Sequence, residues 1–245
     1  MIRNIKTIMR QDREPYRIPR RVQDVIPIQC VWPDGIFKVG IKFSKTYRFT
    51  DINYKVASRN DKETMFLAYS ELLNSLDCAA TTKLTICNRR QSQADFEQSV
   101  LMPMREDGLD KYRREYNQML MDKATGANGI TQEKYVTITV YKRDIEDARA
   151  YFTRIGADLT ARFAALGSKC VELDATDRLR ILHDFYRAGD EGNFHFDMAD
   201  MARKGHDFRD YICPDGIEKH SDYLKLGDRY CRVLFLKDYA NYIQD

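Results

Sequence analysis

The sequence predicts an α+β fold, with mixed or antiparallel sheet layers covered by helices and room for two ferredoxin-like subdomains. Three observations lead there. β-rich runs and helical periods alternate along most of the chain; turn signals join neighbouring β runs into hairpins near both ends; and each helical segment carries its apolar residues on one face. With 245 residues, 43% of them hydrophobic and 31% charged, the chain is long enough to bury a sizeable core.

Pro15, Pro19 and Pro27 argue against a continuous helix across Tyr16–Pro27, because proline breaks helices and biases the residue before it toward extended backbone. An extended lead-in is expected. The turn signal Trp32-Pro33-Asp34-Gly35 precedes β-rich runs at Ile36–Val39 and Phe43–Asp51, which read as a hairpin around Gly40. Asp61 is placed to cap a helix carrying Met65, Phe66, Tyr69, Leu72, Leu73 and Leu76. Thr81–Cys87 has the β-branched density of a strand. Beyond it, Phe96, Val100, Leu109, Tyr112, Tyr116, Met119 and Leu120 suggest long helical structure, interrupted near Pro103 and Gly108 and ended by the linker 125–129.

Lys134–Tyr141 is the clearest strand in the sequence. From Ile145 to Leu166, the set Ile145, Ala148, Phe152, Ile155, Leu159, Phe163 and Leu166 holds a helical period that Gly167 should stop. Cys170–Leu173 predicts a short strand, and Asp174 or Thr176 caps a helix with Leu179, Leu182, Phe185 and Tyr186. Residues 188–222, rich in Gly, Asp, His and Lys, show no sustained period and read as an irregular insertion. Tyr223–Leu226 and Tyr230–Phe235 flank Gly227-Asp228 as a second hairpin before a short helix. This gives a basic arm at 1–27 and two α+β halves at 28–130 and 131–245, with helices expected on one side of the sheet.

Charge is divided unevenly. Residues 1–21 hold Arg3, Lys6, Arg10, Arg13, Arg17, Arg20 and Arg21 against Asp12 and Glu14, a balance of +5; since the whole chain is +3, the rest is −2. The basic character belongs to the arm, which disfavours an enzyme with a nucleic-acid channel through its body. Three uses of the arm stay open: attraction to an anionic leaflet, contact with nucleic-acid phosphates, or a solvated tail. No apolar run approaches the ~20 residues that cross a bilayer, and the start lacks a secretory h-region, so a cytosolic protein is expected.

Chemical motifs are sparse. Gly35-x-x-x-x-Gly40-Ile41-Lys42 misses the phosphate-loop pattern by one residue and leads into a strand rather than a helix. His183, His195, His206 and His220 lack metal-ligand spacing, and the six cysteines contain no C-x-x-C pair, so they are read as reduced thiols. Acidic pairs such as Glu146/Asp147 and Asp174/Asp177 sit where helix N-termini favour negative charge. No catalytic, cofactor or metal residue is assigned.

Several stretches carry a resemblance. They include Asp34-Gly35-Ile36-Phe37, Thr50-Asp51-Ile52-Asn53-Tyr54, Glu71-Leu72-Leu73-Asn74-Ser75-Leu76-Asp77 and Glu115-Tyr116-Asn117-Gln118-Met119-Leu120. Further on come Gly167-Ser168-Lys169-Cys170, the run Arg178–Tyr186 and Asp207–Pro214. In this order they resemble the N-terminal region of VirB/TrbE/CagE-type conjugal transfer ATPases, the type IV secretion motors carried by integrative elements of Gram-positive bacteria. The likeness runs from about Pro27 to Asp245.

It implies a RecA-like C-terminal ATPase domain, with its ATP and Mg, that is absent from these residues; no family phosphate-loop or Walker acid has a matching position. For the N-terminal part it implies a non-catalytic scaffold, peripheral on the inner face of the cell membrane. Its partners would be its own ATPase domain, the inner-membrane channel proteins and other subunits of a homo-oligomer. The arm residues Arg3, Lys6, Arg10, Arg13, Arg17, Arg20 and Arg21 are the candidate membrane or partner contacts. The rival expectation is a metal- or nucleic-acid-dependent module with its site in 188–222.

Overall fold

The computed structural model describes residues 19–52, 54, 56–90, 100–126, 130–202 and 205–236. Six strands form an antiparallel sheet: β1 (Cys30–Val31), β2 (Phe37–Val39), β3 (Lys42–Phe49), β4 (Thr81–Arg90), β5 (Ile130–Tyr141) and β6 (Cys170–Glu172). The path β1-β2-β3-β5-β4 crosses it, and β6 pairs with β3 at Tyr47–Phe49, on the edge that β2 leaves free. The described α-helices are α1 (Arg59–Asn74), α2 (Asp110–Gly126), α3 (Ile145–Ala165) and α4 (Ala175–Tyr186). With α2 set aside, β3-α1-β4-β5-α3-β6 is a split β-α-β-β-α-β unit with strand order β6-β3-β5-β4, the ferredoxin-like arrangement.

The unit draws on both sides of residue 130. β4 and β5 pair without interruption from Thr81↔Thr139 to Arg90↔Ile130, so the stretches 28–130 and 131–245 contribute to one sheet. The hairpin around Gly40 forms with Val39 opposite Lys42, as its turn residues dictate.

Register sorts the side chains into two cores. Phe43, Tyr47, Val136, Ile138 and Val140 point to the face covered by α3, where they meet Phe152, Ile155, Leu159 and Phe163; Leu72 of α1 joins them. Each of these large side chains stabilises the fold by roughly 1.5–3 kcal/mol when fully buried. α3 starts at Asp144, whose side chain accepts from the Asp147 N–H, and ends where Gly167 takes φ +77°. α1 starts one turn earlier than expected: Ser58 is the cap, and Asp61 is the residue whose N–H it accepts. A serine hydroxyl reaches the third backbone N–H as well as a carboxylate does.

The opposite face is covered too. Phe37 lies across from Ser44, one position out of phase with Phe43, and packs with Leu179 of α4, Ile26, Ile28, Phe194, Phe208, Ile212 and Cys213. The expectation of helices on one side only is therefore corrected: α4 and the segment after it roof the second face. Residues 188–222 supply this roof through 3-10 turns at Glu191–Asn193, Asp200–Ala202 and Phe208–Tyr211 and the strand β7 (Ile217–Lys219). Aromatic anchors fix the segment. Phe194 stacks with Phe196, which meets Tyr211 edge-on, and Arg187 ties the end of α4 to Cys213 O and Asp215.

β7 pairs with β8 (Leu224–Leu226), and β8 with β9 (Arg229–Cys231) around the predicted Gly227-Asp228 turn. The second arm of this hairpin is shorter than predicted, because residues 232–236 are not in a strand. The short helix expected after it falls at 237–245, outside the described residues.

Candidate functional site

Of the arm residues singled out by charge, Arg3, Lys6, Arg10, Arg13 and Arg17 lie outside the described residues. Arg20 and Arg21 are exposed, and Arg21 faces Asp24 at 3.7 Å. The histidines are not brought together: His183 is buried beside Phe194, and His220 stacks on Tyr223. Among the described residues, no group of three or more His, Cys, Asp and Glu side chains is arranged to hold a metal ion. In the same set, no helix is long and apolar enough to cross a membrane.

A cleft of about 500 Å³ opens between the ends of β4 and β5, the end of α4 and the β8–β9 hairpin. Its floor is charged but paired. Arg89 binds Asp184 at 2.9 Å, both well covered, and Glu133 accepts from the Tyr135 hydroxyl at 2.5 Å while facing Arg48 at 3.6 Å. Burial, followed by the Glu133 charge, pushes the Cys87 thiol up, so it stays protonated near neutral pH. Arg229 and Arg232 line the cleft with Phe185 and Tyr230, and neither arginine has an ion pair among the described residues. The carboxylates are committed to neighbours; the free chemistry here is cationic and aromatic. Sequence reasoning missed this cleft because Arg89 and Asp184 are 95 positions apart and no local pattern joins them.

A second unusual site is structural. Arg178 on α4 is buried without a carboxylate partner: Nη1 donates to Gly35 O at 2.6 Å and to Ser44 O at 2.7 Å, Nη2 donates to Ser44 Oγ at 3.1 Å, and the guanidinium lies 3.8 Å from the Phe37 ring centre. Burial pushes its pKa down from the ordinary arginine range. Gly35, at φ +76°, lets its turn close against the residues that lead into α4, since a Cβ there would sit 2.1 Å from Leu173 O.

The third feature is outward-facing. No residue of α2 is buried among those described; Leu109, just before it, and Tyr112, Tyr116 and Met119 on it recur at helical spacing and are all exposed. The helix is braced by its own lead-in rather than by the core. Arg113 bridges Asp107 and Asp110, and the Asn117 amide both accepts from Met102 N and donates to Met102 O at 2.9 Å. Periodicity correctly marked these apolar positions, but it cannot say whether such a face looks inward or outward. No family model and no curated protein matches this sequence.

Proposed function

We propose that this chain is a docking module of a conjugative type IV secretion ATPase, joining the motor to the inner-membrane channel. The observation that carries the docking part is α2: a braced helix presenting Leu109, Tyr112, Tyr116 and Met119 to solvent. An aligned apolar stripe without a partner among the described residues is suited to a protein contact. The conjugative part is supported by the motif order from Asp34-Gly35-Ile36-Phe37 through Asp207–Pro214.

In this reading ATP and Mg belong to a separate motor domain, and the basic arm supplements docking at the anionic cytoplasmic leaflet of the membrane. Purified chain is mixed with purified inner-membrane channel proteins of a conjugative system and followed by co-elution. Association should be lost when Tyr112 and Tyr116 are changed to Ser. ATP turnover by the chain alone, or channel binding indifferent to the α2 changes, would overturn the proposal.

A further inference from the structure

We propose that the outer edge of β4 is a self-association surface, on which a second copy of this chain lays its own β4 antiparallel and continues the sheet across a two-fold axis. One edge of β4 is occupied by β5 over all ten residues, Thr81–Arg90. The other has no strand partner among the described residues, and at roughly 3.3 Å per residue it offers a row of backbone donors and acceptors about 33 Å long. Edge strands are commonly blunted by charged side chains, proline, bulges or shortness. β4 has no proline and its ladder to β5 is unbroken, and its charged residues, Lys83, Arg89 and Arg90, flank the apolar centre Leu84–Ile86.

The side chains favour a copy of the same strand. Leu84 and Ile86 are 51% and 56% exposed, and register places them on the face of Val136, the side that α1 and α3 cover elsewhere. α1 leaves Phe66 and Leu73, seven residues apart and so on one flank, exposed on that same side of the sheet.

A two-fold axis perpendicular to the sheet keeps each face continuous, so a residue can only oppose one of the same parity. Pairing centred on Thr85 sets Leu84 against Ile86 of the other copy, twice, with Lys83 opposite Cys87 and Thr81 opposite Arg89. Centring on Ile86 instead opposes Lys83 to Arg89, a like-charge pair, and centring on Leu84 wastes Ile86 on Thr82. The Thr85 register alone pairs Leu84 with Ile86 and no cation with a cation. This inference names a self-contact that the docking proposal leaves open and does not depend on it: a chain that dimerises without binding channel proteins would fail the one and keep the other.

The test is sedimentation of the full chain over about 1–200 μM, beside a Leu84→Lys/Ile86→Lys variant whose fold is checked by circular dichroism. The parent should show a concentration-dependent dimer and the variant a monomer throughout. Register is read separately. Thr85→Cys should form an 85–85 disulfide between copies under mild oxidation, and Lys83→Cys should link to the native Cys87 of the second copy, since opposed Cα atoms at about 4.5–5.5 Å suit a disulfide. A parent that stays monomeric, a dimer unaffected by the two lysines, or crosslinks absent from both cysteine variants would overturn the inference.

Discussion

Arg178 is the most demanding residue in the second core, and replacing it separates charge from geometry. In Arg178→Ala, Gly35 O and Ser44 O lose a charge-assisted donor in a buried setting, at about 1–3 kcal/mol each. Loss of the guanidinium from the Phe37 face removes up to about 2 kcal/mol more. Against this stands relief of an unpaired buried cation, which costs several kcal/mol to desolvate. That relief offsets the lost contacts only partly, so a net loss of about 2–4 kcal/mol is expected. At about 2–4 °C per kcal/mol for a chain of this size, the melting temperature should fall by about 5–15 °C. Arg178→Lys keeps the charge but lacks the planar fork that reaches two carbonyls and a hydroxyl at once, so it should rescue little. Calorimetry at pH 7 checks both. A Lys variant that melts within 1 °C of the parent, or an Ala variant that loses less than 2 °C, would refute the reasoning.

Lys45 lies almost wholly buried on the α3 face and pairs with the half-exposed Glu172 at 2.5 Å. Glu172→Ala, which strands the ammonium, should cost about 2–4 kcal/mol in urea unfolding, whereas Lys45→Met should stay within about 1 kcal/mol of the parent. The hydrogen bond from Arg113, then that from Leu109 N, holds the Asp107 carboxyl at about 2, below its ordinary value of 3.8. A depressed carboxylate contributes stability above its unfolded pKa and loses it as pH falls through the folded one. The first turn of α2 should therefore hold at pH 4 and fray toward pH 2, followed by amide exchange, and Arg113→Gln should move that transition up toward pH 4. Burial pushes the thiols of Cys170 and Cys213 up to about 11, while Cys30 and Cys78 are exposed. Alkylation at pH 7 read by mass spectrometry should label Cys30 and Cys78 first and reach Cys170 and Cys213 only after unfolding.

Local signals carried the elements. Gly40 and Gly227 marked both hairpin turns, and the apolar set from Ile145 to Leu166 marked α3, because turn conformation and helical period are decided within a few residues. What stayed hidden was long-range. Nothing near residue 130 announces that β4 and β5 are neighbours, and the loop-like composition of 188–222 concealed Phe194, Phe208 and Ile212, whose irregular spacing fits a roof without regular helix or strand. The cleft was hidden for the same reason. Arg89 and Asp184 meet only because register turns Arg89 to the face of the sheet that α4 covers, a consequence of topology rather than of any motif.

That topology also explains why Leu84 and Ile86 are left open at one edge of the sheet. α3 covers β3 and β6, where Tyr47, Phe49 and Cys170 are closed in, and α1 commits only Leu72 fully to the same core. β4 is the strand farthest from β6 in the order β6-β3-β5-β4, so its Leu84 and Ile86 lie beyond that cover. The chain enters α2 after β4 and returns through β5, which places the helix with the outward apolar stripe on the connection between these two strands. Two open apolar features thus belong to the same stretch of chain, from β4 to β5. The physical demand on each differs: a strand edge requires backbone hydrogen bonds and selects another strand, whereas a helix stripe requires only a matching apolar groove. Self-pairing through β4 and partner binding through α2 can therefore coexist in one assembly without competing for the same groups.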